Sequence, residues 1–243
     1  MPGRFYGTDL AYVHDAGFLE FARQAAPFVV KRLLRRCEPG ARVVEIGCGS
    51  GGLTRELTEA GYRVLGVDVS PAMIRLARRR APAARYRVAS WHRFSPPPCD
   101  AIVAVGECFN YLAGPPASHR RALAAFFRRA AAALRPGGVL LFDFLEPGAA
   151  VARHRTPARA GADWTIQADV RERGRLITRT MILTRTVAGR NRTSTETHRQ
   201  YRLARAEIAQ ALRAAGFVVI WRGGFGRRLP AGHIVAEALR IFG

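Results

Sequence analysis

The sequence predicts an α/β protein: a seven-stranded, mostly parallel sheet with helices on both faces, an N-terminal helical cap and an inserted antiparallel β-sheet. Three observations predict it. First, Val43-Val44-Glu45-Ile46-Gly47-Cys48-Gly49-Ser50-Gly51-Gly52-Leu53-Thr54 runs from an apolar stretch through a glycine-rich turn into a helix carrying Leu53, Leu57 and Ala60 on one face. That is the pattern of a buried parallel strand feeding a helix N-terminus. Second, strand-like and helix-like segments alternate as far as Phe144, an order that gives a parallel sheet with right-handed crossovers. Third, from residue 163 the pattern changes to alternation rich in Thr and β-branched residues, which reads as antiparallel strands.

Composition narrows the class. A chain of 243 residues holds one sizeable core, alone or with a small lid. No apolar run is long enough for a membrane span, and the first residues lack the apolar core of a secretion signal. Cys37, Cys48, Cys99 and Cys108 form no C-x-x-C pair, so neither a metal site nor a disulfide framework is expected. Free thiols suit a cytoplasmic protein. The net charge is +21, yet Lys31 is the sole lysine and arginines are spread from Arg4 to Arg240, with clusters at Arg35-Arg36, Arg78-Arg79-Arg80 and Arg227-Arg228. A field of that sign favours anionic substrates or non-specific nucleic-acid contact. Aromatic residues are not interleaved with the basic runs, which puts nucleic acid behind a small molecule as the partner. Nothing in the pattern fixes an oligomeric state.

Taken in order, residues 1–15 carry Phe5, Tyr6, Tyr12 and His14, too polar-aromatic for a simple arm. Apolar positions from Phe18 to Leu34 keep a helical period, and Pro27 should kink or split that helix. The glycines then fall at 47, 49 and 51, as G-x-G-x-G, with Glu45 at the strand end. Glycine permits positive φ and lets a ligand approach bare backbone, while amides at the following helix start supply donors. A dinucleotide's pyrophosphate gains nothing from a carboxylate at that point. The stretch closely resembles motif I of class I S-adenosylmethionine (SAM)-dependent methyltransferases, which commonly reads E/D-x-G-x-G-x-G. The resemblance implies a Rossmann-like fold and SAM as cofactor, whose cationic part Glu45 complements while the Gly47, Cys48, Gly49 and Gly51 backbone meets its carboxylate.

Arg63 to Asp68 is the second strand, and Ser70-Pro71 caps and opens the next helix. By the resemblance Asp68, with Val69 beside it, takes the ribose hydroxyls, although a dinucleotide site places an acid similarly. Met73 borders the adenine or is simple core. Arg85 to Ser90 is the third strand. Where the family often has an acid, Ser90-Trp91-His92 stands; a Ser90 hydroxyl would bond the adenine edge and Trp91 would stack on it. Asp100 to Gly106 is the fourth strand, and Gly106-Glu107-Cys108-Phe109-Asn110-Tyr111-Leu112 resembles the loop that lines the ligand crevice in small-molecule methyltransferases. By the resemblance Gly106 and Glu107 also contact the cofactor; Glu107 and Asn110 are the first candidates for substrate contact, with Tyr111 packing or bonding beside them. Residues 118–134 form an amphipathic helix, broken by Leu134-Arg135-Pro136-Gly137-Gly138, and Val139 to Phe144 is the fifth strand. That turn is a second point of resemblance.

Residues 163–202 give the inserted antiparallel sheet, with turns at Arg173-Gly174 and Ala188-Gly189-Arg190-Asn191; residues 204–215 are the last helix. Phe217 to Trp221 and Ile234 to Leu239 complete the main sheet. The expected organisation is a cap over 1–36, a SAM-binding core over 37–146, an insertion over the active site at 147–202, and core-completing elements at 203–243.

Methyl transfer needs alignment and desolvation, with the acceptor held about 3 Å from the methyl group. A neutral amine needs little more; a hydroxyl or acidic carbon needs a base. His198, His14, His233 and Glu107 are candidates for that base. Tyr6 and Tyr12 in the cap, and Tyr201 beside His198, either touch substrate or only pack. The expected function is methylation of a small-molecule N, O or C acceptor. RNA or protein methylation, and NAD-dependent oxidoreduction or simple nucleotide binding, are the rival readings. No (N/D)-P-P-(Y/F) sequence follows Val105, and Pro98-Cys99 precedes its strand rather than following it, so two nucleic-acid methylation signatures are absent.

Overall fold

The computed structural model describes residues 5–148, 153–227, 229–230 and 232–241. Arg4, Arg228 and the stretch 149–152, at the expected start of the insertion, lie outside the described residues. The cap is α1 (Thr8–Gly17) and α2 (Glu20–Leu34). The core follows as β1 (Arg42–Ile46), α3 (Gly52–Glu59), β2 (Arg63–Asp68), α4 (Pro71–Arg80), β3 (Arg85–Val88), β4 (Cys99–Ala104), α5 (Pro116–Ala133) and β5 (Leu134–Leu145). A second sheet comprises β6 (Arg153–Arg155), β7 (Arg159–Ala160), β8 (Trp164–Arg173), β9 (Leu176–Val187) and β10 (Arg190–Tyr201). The chain then returns through α6 (Arg205–Ala214), β11 (Phe217–Arg222) and β12 (His233–Arg240).

The main sheet has seven strands in the order β11-β12-β5-β4-β1-β2-β3, with β12 antiparallel to both its neighbours and the other pairings parallel. Strand order reverses between β1 and β4, so the loops leaving these two strands diverge and open a crevice at their carboxyl ends. The expected glycine turn and the expected Gly106–Leu112 loop form its two lips.

Burial on β1 shows how the sheet is covered. Val44 and Ile46 join the cluster that holds Phe109, Phe126, Phe127 and Phe142, whereas Val43 joins the opposite cluster with Val29, Leu33, Leu53 and Leu57. Period-2 alternation in a strand buried on both faces produces that division. A third cluster, with Leu10, Val13, Trp164, Ile166, Met181 and Leu183, seals α1 beneath the second sheet. Asp9 anchors the same helix to Arg185 at 3.2 Å and to Arg192. Among the described residues no helix is long and apolar enough to cross a membrane.

Four local features refine or alter these expectations. The cap helix divides at Phe18-Leu19 and continues through Pro27. Pro27 and Arg23, whose carbonyl loses its helical partner, both lie on the exposed side where water replaces the missing bond. Residues 8–15 are helical, held by the contacts just described. No helix joins β3 to β4; residues 89–98 are an irregular connection containing three consecutive prolines, Pro96 to Pro98. The Leu134–Gly138 segment ends α5 as expected but already belongs to β5, with a register irregularity opposite Cys99 and Ala101.

Candidate active site

Two adjoining cavities occupy the crevice. The first, about 450 Å³, is bounded by the glycine turn, the ends of β1 and β2, and residues 89–92. The second, about 640 Å³, lies between the post-β4 loop and the inner face of β8 and β9. Tyr6, His14, Phe18, Phe21, Gly106 and Tyr111 line both, and so form the junction between them.

The first cavity gathers most of the residues that the sequence assigns to a cofactor: Glu45, Gly47, Cys48, Gly49, Asp68, Val69, Met73, Ser90, Trp91 and Gly106 all line it. Gly49 has φ +52 and Gly106 has φ +95, and a Cβ added at either would meet nothing within 4 Å. Open space beside left-handed backbone is what a ligand resting on the main chain requires. Gly51 is different: a Cβ there would approach Ala77 Cα to 3.0 Å, so this glycine lets α3 pack against α4 and does not line the cavity.

Asp68 organises the turn. One carboxylate oxygen accepts from the Gly49 amide at 3.0 Å, the other from the Ser70 amide at 2.8 Å. Burial raises its pKa, and those two amides offset part of the rise. Glu45 is 3% exposed and accepts from the Thr54 hydroxyl at 2.5 Å. Burial pushes its carboxyl up to about 8, with the Thr54 hydroxyl opposing and the Asp68 charge assisting. Here the sign of the pH dependence is fixed: the folded, ligand-free protein holds a proton on Glu45 that the unfolded chain releases near its ordinary pKa. That stability is complete below about pH 4.5 and is lost as pH rises towards about 8. The Tm of ligand-free wild type is therefore expected to fall more steeply across that interval than the Tm of Glu45→Gln. Parallel profiles would show that the carboxyl is not perturbed.

The far end of this cavity was only partly legible. Trp91 lines it, but one indole face is taken by His92, with ring centroids 3.7 Å apart, and its edges pack on Phe109, His119 and Phe126. His92, whose Nδ1 lies 3.0 Å from Ser90 Oγ, therefore covers the indole that was expected to stack on the adenine. Burial lowers its pKa to about 4, which keeps the imidazole neutral, and its Nε2 has no partner.

At the junction the Tyr6 and Tyr111 hydroxyls are 3.1 Å apart. Burial lifts Tyr6 to about 12 and also pushes Tyr111 well up, so both remain protonated. His14 lies edge-on to Tyr6; burial lowers its pKa to about 4, and its Nδ1 is buried without a partner. Glu107, in the left-handed region at φ +53, faces the second cavity and accepts from Gln200 at 3.2 Å. Its backbone amide and that of Gly106 are held by the fully buried Asp143. His233 also lines this cavity, 3.6 Å from Asp143; burial opposes its charging, but Asp143 and Glu107 raise its pKa on balance.

Four other candidates reach neither cavity. Asn110 is fully buried and clamps Leu145 and Tyr201 backbone. Tyr201 packs in the core beneath Arg175. Tyr12 donates to Asp163 at 3.0 Å under the Arg185 guanidinium. His198, 2% exposed, lies 3.2 Å from Glu196 and against the rings of Phe5, Tyr6 and Tyr111, so it supports the junction from behind. Sequence reasoning missed His92, Arg179 and Gln200. For Arg179 a signal existed, since it shares the inward phase of β9 with Ile177, Met181 and Leu183.

Comparison with known proteins agrees with this geometry. A family described as a methyltransferase domain matches residues 18–221. The chain is 36% identical over 137 residues to a ubiquinone biosynthesis O-methyltransferase of Methylobacterium sp. (strain 4-46), covering 56% of this chain and 51% of that protein. It is 33% identical over 141 residues to a malonyl-[acyl-carrier protein] O-methyltransferase of Serratia marcescens, covering 57% and 52%. The chain thus spans about half the length of these curated relatives. The fold matches that of a SAM-dependent methyltransferase from Clostridium acetobutylicum ATCC 824, with a TM-score of 0.79 at 14% identity over 97% of this chain and 98% of that one.

Proposed function

The chain belongs to the methyltransferase-domain family, and from that premise we propose that it transfers a methyl group from SAM to a small molecule held in the second cavity. The observation that carries this reading is the shared junction: a glycine-cradled cavity opens through Tyr6, His14, Gly106 and Tyr111 into a chamber roofed by the inserted sheet. The first cavity fits the cofactor. Glu45 would face its cationic end, the open backbone at Gly49 its carboxylate, Asp68 its ribose, and Ser90 and His92 its adenine. When bound, SAM supplies an electrophilic methyl group on a sulfonium.

The chain's own work is positioning and proton handling. The apolar ring of Phe18, Phe21 and the Tyr6–Tyr111 pair excludes water from the junction, which strengthens every polar contact there. His14, neutral and with an Nδ1 that has no hydrogen-bond partner among the described residues, accepts a hydrogen bond or proton from an acceptor at the junction, and Glu107 offers a carboxylate on the chamber side. N, O and C acceptors all fit that set. A matched pair of titrations tests the reading: saturable calorimetric binding of SAM and S-adenosylhomocysteine, with none for NAD, is expected. NAD binding without SAM binding would overturn it.

A further inference from the structure

The inner face of β9 is apolar except at Arg179 and Arg185, and Arg185 is paired with Asp9 of α1. Ile177, Met181 and Leu183 are buried in the cluster beneath the inserted sheet, and Arg179 stands in the same phase between the first two. Its side chain therefore leaves the sheet on the apolar side, and it lines the second cavity. A guanidinium in such a wall is costly to keep unless something pairs with it.

The other arginines of the chamber are engaged. Arg202 donates to both oxygens of Glu172 at 2.9 Å and to the Glu146 carbonyl at 2.9 Å. Arg159 donates to the Gly17 carbonyl at 3.1 Å and lies over the Phe18 ring. Arg179 has no carboxylate within ion-pair distance and no hydrogen-bond acceptor among the described residues. Burial works to discharge it, and the Glu107 and Glu172 carboxylates act against this. The carboxylates it senses are already committed elsewhere, Glu107 to Gln200 and Glu172 to Arg202. A forked donor thus faces a cavity large enough for a small molecule, with no group among the described residues to satisfy it.

We propose that Arg179 anchors an oxyanion, a carboxylate or a phosphate, on the methyl acceptor, so that this enzyme selects anionic small molecules. The proposal rests on the reading that the second cavity receives the acceptor. A guanidinium grips such groups through two parallel hydrogen bonds. A neutral analogue filling the chamber would strip water from Arg179 and return nothing, which builds discrimination against uncharged acceptors into the wall itself.

The test uses the full chain with and without S-adenosylhomocysteine, titrated with para-fluorobenzoate by fluorine NMR and then challenged with inorganic phosphate. Wild type is expected to bind the probe saturably. Arg179→Met, whose unbranched apolar side chain suits the surrounding wall, is expected to lose at least tenfold in affinity, and Arg179→Lys to keep part of it. An unchanged Tm and unchanged S-adenosylhomocysteine affinity show that the variants fold. Displacement of the probe by phosphate assigns a phosphate-accepting anchor, whereas resistance to phosphate assigns a carboxylate. Equal probe affinity in wild type and Arg179→Met, or no saturable binding in wild type, overturns the proposal. Failure of wild type to bind S-adenosylhomocysteine overturns the methyltransferase reading separately, since the anion titration is also read without it.

Discussion

Replacing Asp68 with Ala is expected to weaken SAM binding by about 100- to 1000-fold. Two effects combine. On the proposed function the carboxylate accepts from the ribose hydroxyls, and a pair of charge-assisted hydrogen bonds is worth roughly 3–4 kcal/mol, which converts to that range of Kd. The same oxygens hold the Gly49 and Ser70 amides at 3.0 and 2.8 Å. Their loss frees the glycine turn and the start of α4 together. Calorimetry of the variant, alongside circular dichroism to confirm the fold, reads the effect. An unchanged Kd would mean that the first cavity is not where the cofactor binds.

The second large effect concerns stability. Asn110→Ala is expected to cost about 3–5 kcal/mol, lowering Tm by roughly 10 °C in a chain of this length. The side-chain amide donates to the Leu145 carbonyl at 3.1 Å and the Tyr201 carbonyl at 2.8 Å, and its oxygen accepts from the Leu145 amide at 2.9 Å. All three bonds are buried, so truncation takes the partner from the Leu145 amide and the Tyr201 carbonyl, while the Leu145 carbonyl keeps the Leu203 amide at 2.9 Å. Because Asn110 reaches neither cavity, SAM affinity measured well below the transition should change little. A thermal scan showing a loss under 1 kcal/mol would contradict the clamp.

These two residues also show where a sequence is transparent. Asp68 could be read because everything that defines it is local: an apolar strand, its final acid, and a capped helix two residues on. The Glu45–Gly51 turn was legible for the same reason, as were the strands of the insertion, whose period of two survives in Leu176 to Val187. Asn110 was assigned to substrate because loops at strand ends usually face ligand. Its partners lie 35 and 91 residues away, and nothing near it in the chain announces them. His198 looked like a catalytic base by its neighbours Tyr201 and Arg199; burial against Phe5, Tyr6 and Tyr111 makes it a support. His92 sat in a segment that departs from the resembled family, and its stacking on Trp91 depends on an irregular connection that no periodicity predicts. Pro27 shows the reverse limit, since α2 runs from Glu20 to Leu34 without being split at this proline, which lies on an exposed face.

Tyr6 touches both halves of the site. Its carbonyl accepts from Ser70 Oγ at 2.6 Å, on the residue that caps α4, and its hydroxyl meets Tyr111 across the junction. A change of chain length there would disturb donor and acceptor compartments at once. The roof is not coupled in this way: Ile166, Ala168, Val170, Ile177 and Met181 face the second cavity but not the first. On the proposed function, substitution along β8 and β9 would therefore reshape what is methylated while leaving the grip on the donor intact, so that one scaffold would diversify its products by repainting a single ceiling.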